Sequence, residues 1–275
     1  MHPYDGIQIA MPTKHGKAAV IKKAFNQFFP VDIVEINVDT DLLGTFAGEV
    51  ERIDTPLETA INKHQLVSGY EYTISSEGSI GSDPAIPFLI SDYEILVFKD
   101  HKKDLTIIEA HRSFEIKAFK KEIFLGENIE ETLEQYDFPN HSVIVKAPEL
   151  TRISPFKGLK NLEAVNQAIE DVAKVSKKII IESDLRANHS PSRMENIYVT
   201  AQKLAKRINT LCSACQTPGF GLKSYEKGVN CTFCKRLNPE VINSEILGCV
   251  KCDFEINGQV INKEIAPDKC IWCNP

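Results

Sequence analysis

Apolar residues recur along the chain in two rhythms. Runs rich in Ile, Val, Phe and Tyr at residues 6–11, 31–38, 71–75, 93–99, 104–110, 112–119, 141–147 and 178–182 read as β-strands. Between them the spacing becomes helical. Val20, Ile21, Ala24, Phe25 and Phe28 form one stripe; Leu162, Val165, Ala168, Ile169 and Val172 a second; Met194, Ile197, Ala201, Leu204 and Ile208 a third. The order β-α-β-α-β, a run of strands, then α-β-α predicts an α/β domain with a mixed central sheet flanked by helices. After Ile208 the periodicity stops and Cys-x-x-Cys pairs begin, which places a boundary near residue 210 and divides the chain into residues 1–210 and 211–275.

Composition narrows the class. With 43% apolar and 25% charged residues in 275, the chain reads as a globular protein able to form one large or two modest domains. Acidic side chains outnumber basic ones 38 to 32, and residues 212–275 carry seven of each sign, so the excess lies in the first part. Bulk charge therefore does not support nucleic-acid binding. The apolar runs fall short of the ~20 residues a membrane span needs, and the N-terminus lacks a secretory pattern, so a cytoplasmic location without membrane attachment is expected.

All eight cysteines follow residue 211 in four pairs, Cys212/Cys215, Cys231/Cys234, Cys249/Cys252 and Cys270/Cys273. Each pair can put two thiolates on one metal from a tight turn, and two pairs complete a closed four-thiolate site. Two structural Zn²⁺ ions are expected, with iron–sulfur ligation as the competitor. Sequential pairing would make two tandem zinc ribbons and cross-braced pairing would interleave them; spacing leaves both open. The module's balanced charge and few aromatics (Phe220, Tyr225, Phe233, Phe254, Trp272) suit a stabilising or protein-docking unit, with the aromatics as its small core.

Four polar clusters of the first part carry candidate chemistry. The turn Thr13-Lys14-His15-Gly16-Lys17 lies between a strand and a helix start; it is neither a Walker loop nor a Rossmann fingerprint, and either holds an anion or only joins the two elements. Asp39, Asp41 and Glu49 gather at and beyond the next strand's end, where one or two carboxylates suffice for Mg²⁺ with phosphate. Thr55-Pro56-Leu57-Glu58 has the form of a capping box. Glu77 lies among Ser75, Ser76, Gly78, Ser79 and Gly81, which reads as an uncrowded ligand site or a glycine-rich turn. Arg186, His189 and Arg193 precede the third helix, and two arginines there suit phosphate or carboxylate.

Taken together, "TKHGK", "DTDLLGTFAGEVER", "SSEGSIG", "DLRANHSPSRM" and the terminal "CIWCNP" resemble a bacterial family defined by a domain of unknown function with a C-terminal zinc-ribbon part. More distantly, the order of motifs is similar to that of the inosine/xanthosine triphosphate pyrophosphatases. That likeness implies their fold, triphosphate contacts at Thr13 and Lys17, Mg²⁺ near Glu58-Thr59 and Glu77-Gly78, and base contacts at Arg186 or Arg193. The usual Asn of the first turn is here Lys14 or His15, Ser76-Glu77-Gly78 replaces Asp-Ser-Gly, and the Ser-His-Arg of the last loop is missing.

The resulting expectation is a Mg²⁺-dependent hydrolase of a nucleotide or other phosphoanhydride. Asp39, Asp41, Glu49 and Glu77 would serve metal and water, and Thr13, Lys14, Lys17, Arg186, His189 and Arg193 the substrate. The alternatives are a non-catalytic nucleotide sensor that docks a protein through its zinc module, and a zinc-ribbon nucleic-acid factor.

Overall fold

The computed structural model describes residues 2–13, 16–44, 50, 52–149 and 153–275, Asp41 by its backbone alone. Lys14 and Glu49, both expected at the site, and the side chain of Asp41 lie outside the described residues.

Five strands, β1 (Ile7–Pro12), β2 (Val31–Ile36), β3 (Tyr72–Ser82), β4 (Ile90–Asp100) and β5 (Leu105–Ser113), form a sheet of order β2-β1-β3-β4-β5. β1 runs parallel to β2 and β3, and β3, β4 and β5 form an antiparallel meander. Helix α1 (Ala18–Phe25) joins β1 to β2 and α2 (Pro56–Lys63) leads to β3. The two helices cover opposite faces. Phe25 and Ile21 of α1 pack with Ile74, Leu96 and Phe98, whereas Ala60 of α2 packs with Ile95 and Val97, the alternate residues of β4. α2 starts at the expected capping box, Thr55 accepting the Glu58 N–H and Glu58 accepting the Thr55 N–H.

A second sheet, rather than an extension of the first, holds the remaining strands. β6 (Lys120–Ile123), β7 (Val143–Lys146), β8 (Phe156–Leu159) and β9 (Ile179–Ser183) pair antiparallel in the order β6-β9-β7-β8. Helices α3 (Glu130–Gln135) and α4 (Leu162–Ala173) pack on it, with Leu133, Val165, Ala168 and Val172 closing a core of its own. The single central sheet expected from the element order is thus two sheets, because β5 ends the first ladder at Ser113 and, among the described residues, β6 pairs only with β9. Helix α5 (Pro191–Asn209) returns to the first sheet, burying Ile197, Ala201, Leu204 and Ile208.

Two strand readings change for the same reason, the length of the meander. Residues 104–110 and 112–119 were expected as two strands, yet β5 runs unbroken to Ser113 because each of its nine residues has a partner on β4. The segment Ser75–Ser82 belongs to β3 rather than to a turn after it, since all eleven β3 residues pair with β4.

Beyond α5, β10 (Gly221–Cys231) and β11 (Leu237–Gly248) form a long hairpin, flanked by β12 (Glu255–Val260) and β13 (Glu264–Ile265) in the order β12-β11-β10-β13. Among the described residues no helix is long and apolar enough to cross a membrane.

Candidate functional site

α1 and α2 cover opposite faces of the first sheet, and the carboxyl end of β1 lies beside the middle of β3; strand carboxyl ends are where open α/β sheets bind ligands. Thr13 ends the β1 edge, buried, its N–H donating to Ile36 O at 3.2 Å. Lys17 immediately precedes α1 and is buried, its Nζ donating to Ser76 Oγ of β3 at 3.3 Å. Burial, and then the nearby Arg193 cation, push the Lys17 amine down to about 7.

Glu77 faces α2. Lys63 Nζ donates to its Oε2 at 2.5 Å and to Ser76 O at 2.8 Å, while Arg52 Nη1 reaches Oε1 at 3.2 Å and Gly78 O at 3.0 Å. Burial alone would raise the Glu77 carboxyl; Lys63 and Lys17 outweigh it and hold it below the usual range. Both carboxylate oxygens of this expected metal ligand are therefore engaged by cations.

On the other face of the strand, Arg193 Nε donates to Glu94 Oε1 at 2.6 Å and Nη1 to Leu185 O at 2.7 Å, with Arg193 and Glu94 almost fully buried. Gly78 lies opposite Glu94 in the ladder, and a Cβ there would strike Glu94 Oε1 and come within 2.5 Å of Arg193 Nη2. Asp92, two residues before Glu94 on the same strand face, takes a hydrogen bond from Asn196 Nδ2 at 2.8 Å; burial and then the Glu94 charge push its carboxyl up to about 7.

Of the expected residues, Lys17, Glu77 and Arg193 thus gather around the upper half of β3. Lys63, Arg52, Glu94 and Asp92 were missed. For Glu94 a signal was present, a lone acid within the apolar run "YEILVF" of a strand buried on both faces. Asp39 is exposed beyond β2. Arg186 and His189 form a neighbouring group. Arg186 Nε donates to Asp184 Oδ1 at 2.9 Å, Asp184 Oδ2 accepts the Gly158 N–H at 3.0 Å, and His189 Nδ1 lies 3.1 Å from Ser142 Oγ. Burial would raise Asp184, but Arg186 holds it below the usual range.

Arg193 links the two groups through Leu185. A cavity of about 400 Å³ opens there between the sheets, walled by Ile80 and Ile90 of the first, by Lys120, Lys146 and Glu182 of the second, and by Arg186 beyond β9. Glu182 pairs with Lys146 and lies 4.0 Å from Lys120, and Arg186 is paired with Asp184.

The metal centres lie in the hairpin module. Cys212, Cys215, Cys249 and Cys252 form one cluster and Cys231, Cys234, Cys270 and Cys273 the other, an interleaved pairing. The hairpin imposes it. An antiparallel β10–β11 brings the residues before β10 beside those after β11, while Cys231 and Cys234 lie in the turn roughly 30 Å away, about 3.3 Å per residue along β10.

Sulfur separations of 3.8 Å (Cys212–Cys252), 3.6 Å (Cys215–Cys249), 3.9 Å (Cys231–Cys273) and 3.7 Å (Cys234–Cys270) match the ~3.8 Å edge of a tetrahedron whose arms are about 2.3 Å long, the Zn–S distance. They are far too long for disulfides, about 2.05 Å, and all donors of a cluster lie within 4.8 Å, as ligands of a single ion do. Backbone N–H groups of Phe233 and Lys251 donate to Cys231 and Cys249 Sγ, stabilising thiolate. With four sulfurs each, these sites leave no position for substrate. The tip aromatics are not the core anticipated: Phe233 is 79% and Trp272 51% exposed, because metal ligation replaces much of the apolar core such a ribbon would need.

Residues 61–275 match the family model described as "Domain of unknown function (DUF6671)". The crystal structure of protein VC0702 from Vibrio cholerae is similar over 73% of this chain and 93% of that one, at 12% identity and a TM-score of 0.29, too low to bear on fold or site. No curated protein matches the chain.

Proposed function

The chain belongs to the DUF6671 family, and from the chemistry of its own crevice we propose that it binds a phosphate-bearing small molecule between its two sheets and hydrolyses a phosphoanhydride there. The observation that carries the reading is Lys17: a buried amine at a strand end and helix start, beside Arg193 and Lys63, with a serine hydroxyl as its hydrogen-bond partner. Among the described residues Lys17, Arg52 and Lys63 lie around Glu77, and Arg193 lies with Glu94 and a raised Asp92 on the other face of the strand, a gathering of cations that suits an anion. The phosphates would meet Lys17 and Arg193, and the rest of the ligand would lie in the cavity against Ile80, Ile90 and Arg186.

The motif likeness to inosine/xanthosine triphosphate pyrophosphatases, with their fold, supplies nucleoside triphosphates as the first substrates to try. Mg²⁺ in this reading arrives with the phosphates, since a Mg²⁺ site needs only one or two carboxylates besides them and Glu77 is already shared between Lys63 and Arg52. The two zinc ions are structural.

The test is release of phosphate or pyrophosphate from a nucleoside triphosphate panel with and without Mg²⁺, alongside calorimetric binding. Turnover that Lys17→Met abolishes supports the hydrolase. Binding without turnover would leave a nucleotide sensor, the reading favoured by the closed zinc sites and exposed tip, and absence of both would remove the phosphate reading altogether.

A further inference from the structure

Where the second sheet meets the start of α5, three side chains outside the charge cluster form an ordered relay. His141 Nε2 lies 2.9 Å from Ser192 Oγ, and His141 Nδ1 lies 2.9 Å from Asp137 Oδ2. The proton positions follow from their neighbours. The Ser192 backbone N–H, which can only donate, points to His141 Nε2 at 3.1 Å, so Nε2 is the bare acceptor and Nδ1 carries the hydrogen given to Asp137. The Lys117 N–H donates into Ser192 Oγ at 3.1 Å, which directs the hydroxyl's own hydrogen toward Nε2. Asn140 Nδ2 donates to the other Asp137 oxygen at 2.9 Å; that bond first, and then His141, keep the Asp137 carboxyl below its usual range and therefore ionised.

This is the tautomer a general base requires, with the lone pair toward a hydroxyl and the hydrogen on a carboxylate. Ser192 is the second residue of a 19-residue helix, where the dipole favours negative charge building on Oγ. His141 is buried, while Ser192 is partly open to solvent.

The geometry points to a second catalytic centre, an acyl-transfer triad in which Ser192 is the nucleophile, His141 the base and Asp137 the positioning residue, acting on small activated carboxylic esters. Oγ bonds to the ester carbonyl carbon as its proton passes to His141 Nε2; that proton then leaves with the alcohol as the ester C–O bond breaks. Water attacks the acyl-serine, gives a proton through His141 back to Oγ, and frees the carboxylic acid. A small acyl group suits a serine at the surface, and the centre is independent of the phosphate crevice.

A fluorophosphonate probe, which loses fluoride when a serine oxygen attacks phosphorus, tests this on the full-length zinc-loaded chain. One adduct per chain is expected, mapped by peptide mass to Ser192, absent from urea-unfolded protein and from Ser192→Ala, with p-nitrophenyl acetate hydrolysis lost in parallel. Asp137→Asn is the discriminating variant. Asp137 has φ 62°, a conformation that asparagine tolerates well, so the fold should hold while the labelling rate falls about 10²-fold or more and the His141 Nδ1–H proton resonance changes. No adduct at Ser192 in the folded wild type, or an adduct formed as fast in a folded Asp137→Asn, would overturn the triad and leave His141 as a cap for α5.

Discussion

Gly78 holds its place through what it lacks. The Arg193–Glu94 pair occupies the space a Cβ would take, so Gly78→Ala must displace a buried ion pair and should cost about 3 kcal/mol, read as a lower urea midpoint; an unchanged midpoint would mean the pair can move aside. Two neighbouring groups make stability depend on pH in opposite senses. Asp92 moves from 3.8 unfolded to about 7 folded, so the folded state holds its proton more tightly and stability falls as pH rises from about 4 to 7. Lys17 moves from 10.5 to about 7, so the unfolded state binds more protons and stability rises between about pH 7 and 10. Thermal melts across pH should show both limbs, Asp92→Asn flattening the acid one and Lys17→Met the alkaline one. At pH 7 Lys17→Met should also raise the melting temperature while weakening pyrophosphate binding at least tenfold, the trade expected where a buried charge serves a ligand. The identities of Lys17, Glu77 and Arg193 as candidates were readable from residue type and position. Their partners were not, because Lys63 comes from α2, Glu94 from β4 and Arg52 from the segment before α2.

Helix α5 shows how one element serves several sites. Its start presents Ser192, Arg193 and Asn196, its middle closes the core of the first sheet, and Arg207 near its end donates to Gly219 O at 3.1 Å, Ile108 O at 3.0 Å and Glu109 Oε1 at 3.0 Å. Arg207 thereby ties the first zinc knuckle to β5, where Gly219 passes so close that a Cβ would meet Ile107 Cδ1 at 2.7 Å. Arg207→Ala should cost about 2 kcal/mol and speed protease cleavage between residues 210 and 221, with zinc content unchanged; cleavage at the wild-type rate would show that the knuckle is held by its packing alone. The stripe of α5 was legible because its apolar residues keep helical spacing over about four turns. The Gly and Ser residues of β3 look like a turn locally, and only the opposing β4 ladder shows that they are strand residues receiving large charged neighbours.

Across the whole molecule, the two zinc sites lie at opposite ends of one hairpin, the first against the α/β part and the second at the tip, and the interleaving can be tested by counting ions. Cys231→Ser combined with Cys270→Ser removes ligands of one cluster and should leave one zinc per chain with the melting of the α/β part retained, whereas Cys212→Ser with Cys231→Ser disables both clusters. Mass spectrometry under native conditions would read the difference, and the reverse pattern would mean sequential pairing. The sequence by itself determined the strands and helices with strong periodicity, the capping box at Thr55, the eight thiolates in four metal-binding turns and three members of the charge cluster. Each of these is written within a few consecutive residues or a local spacing. Tertiary structure alone decided that the α/β part holds two sheets, that the cysteine turns pair first with third and second with fourth, and that Asp137, His141 and Ser192 meet. Those outcomes depend on which distant segments share a ladder, and the free energy of that choice lies in burial and hydrogen bonding between segments far apart in the chain.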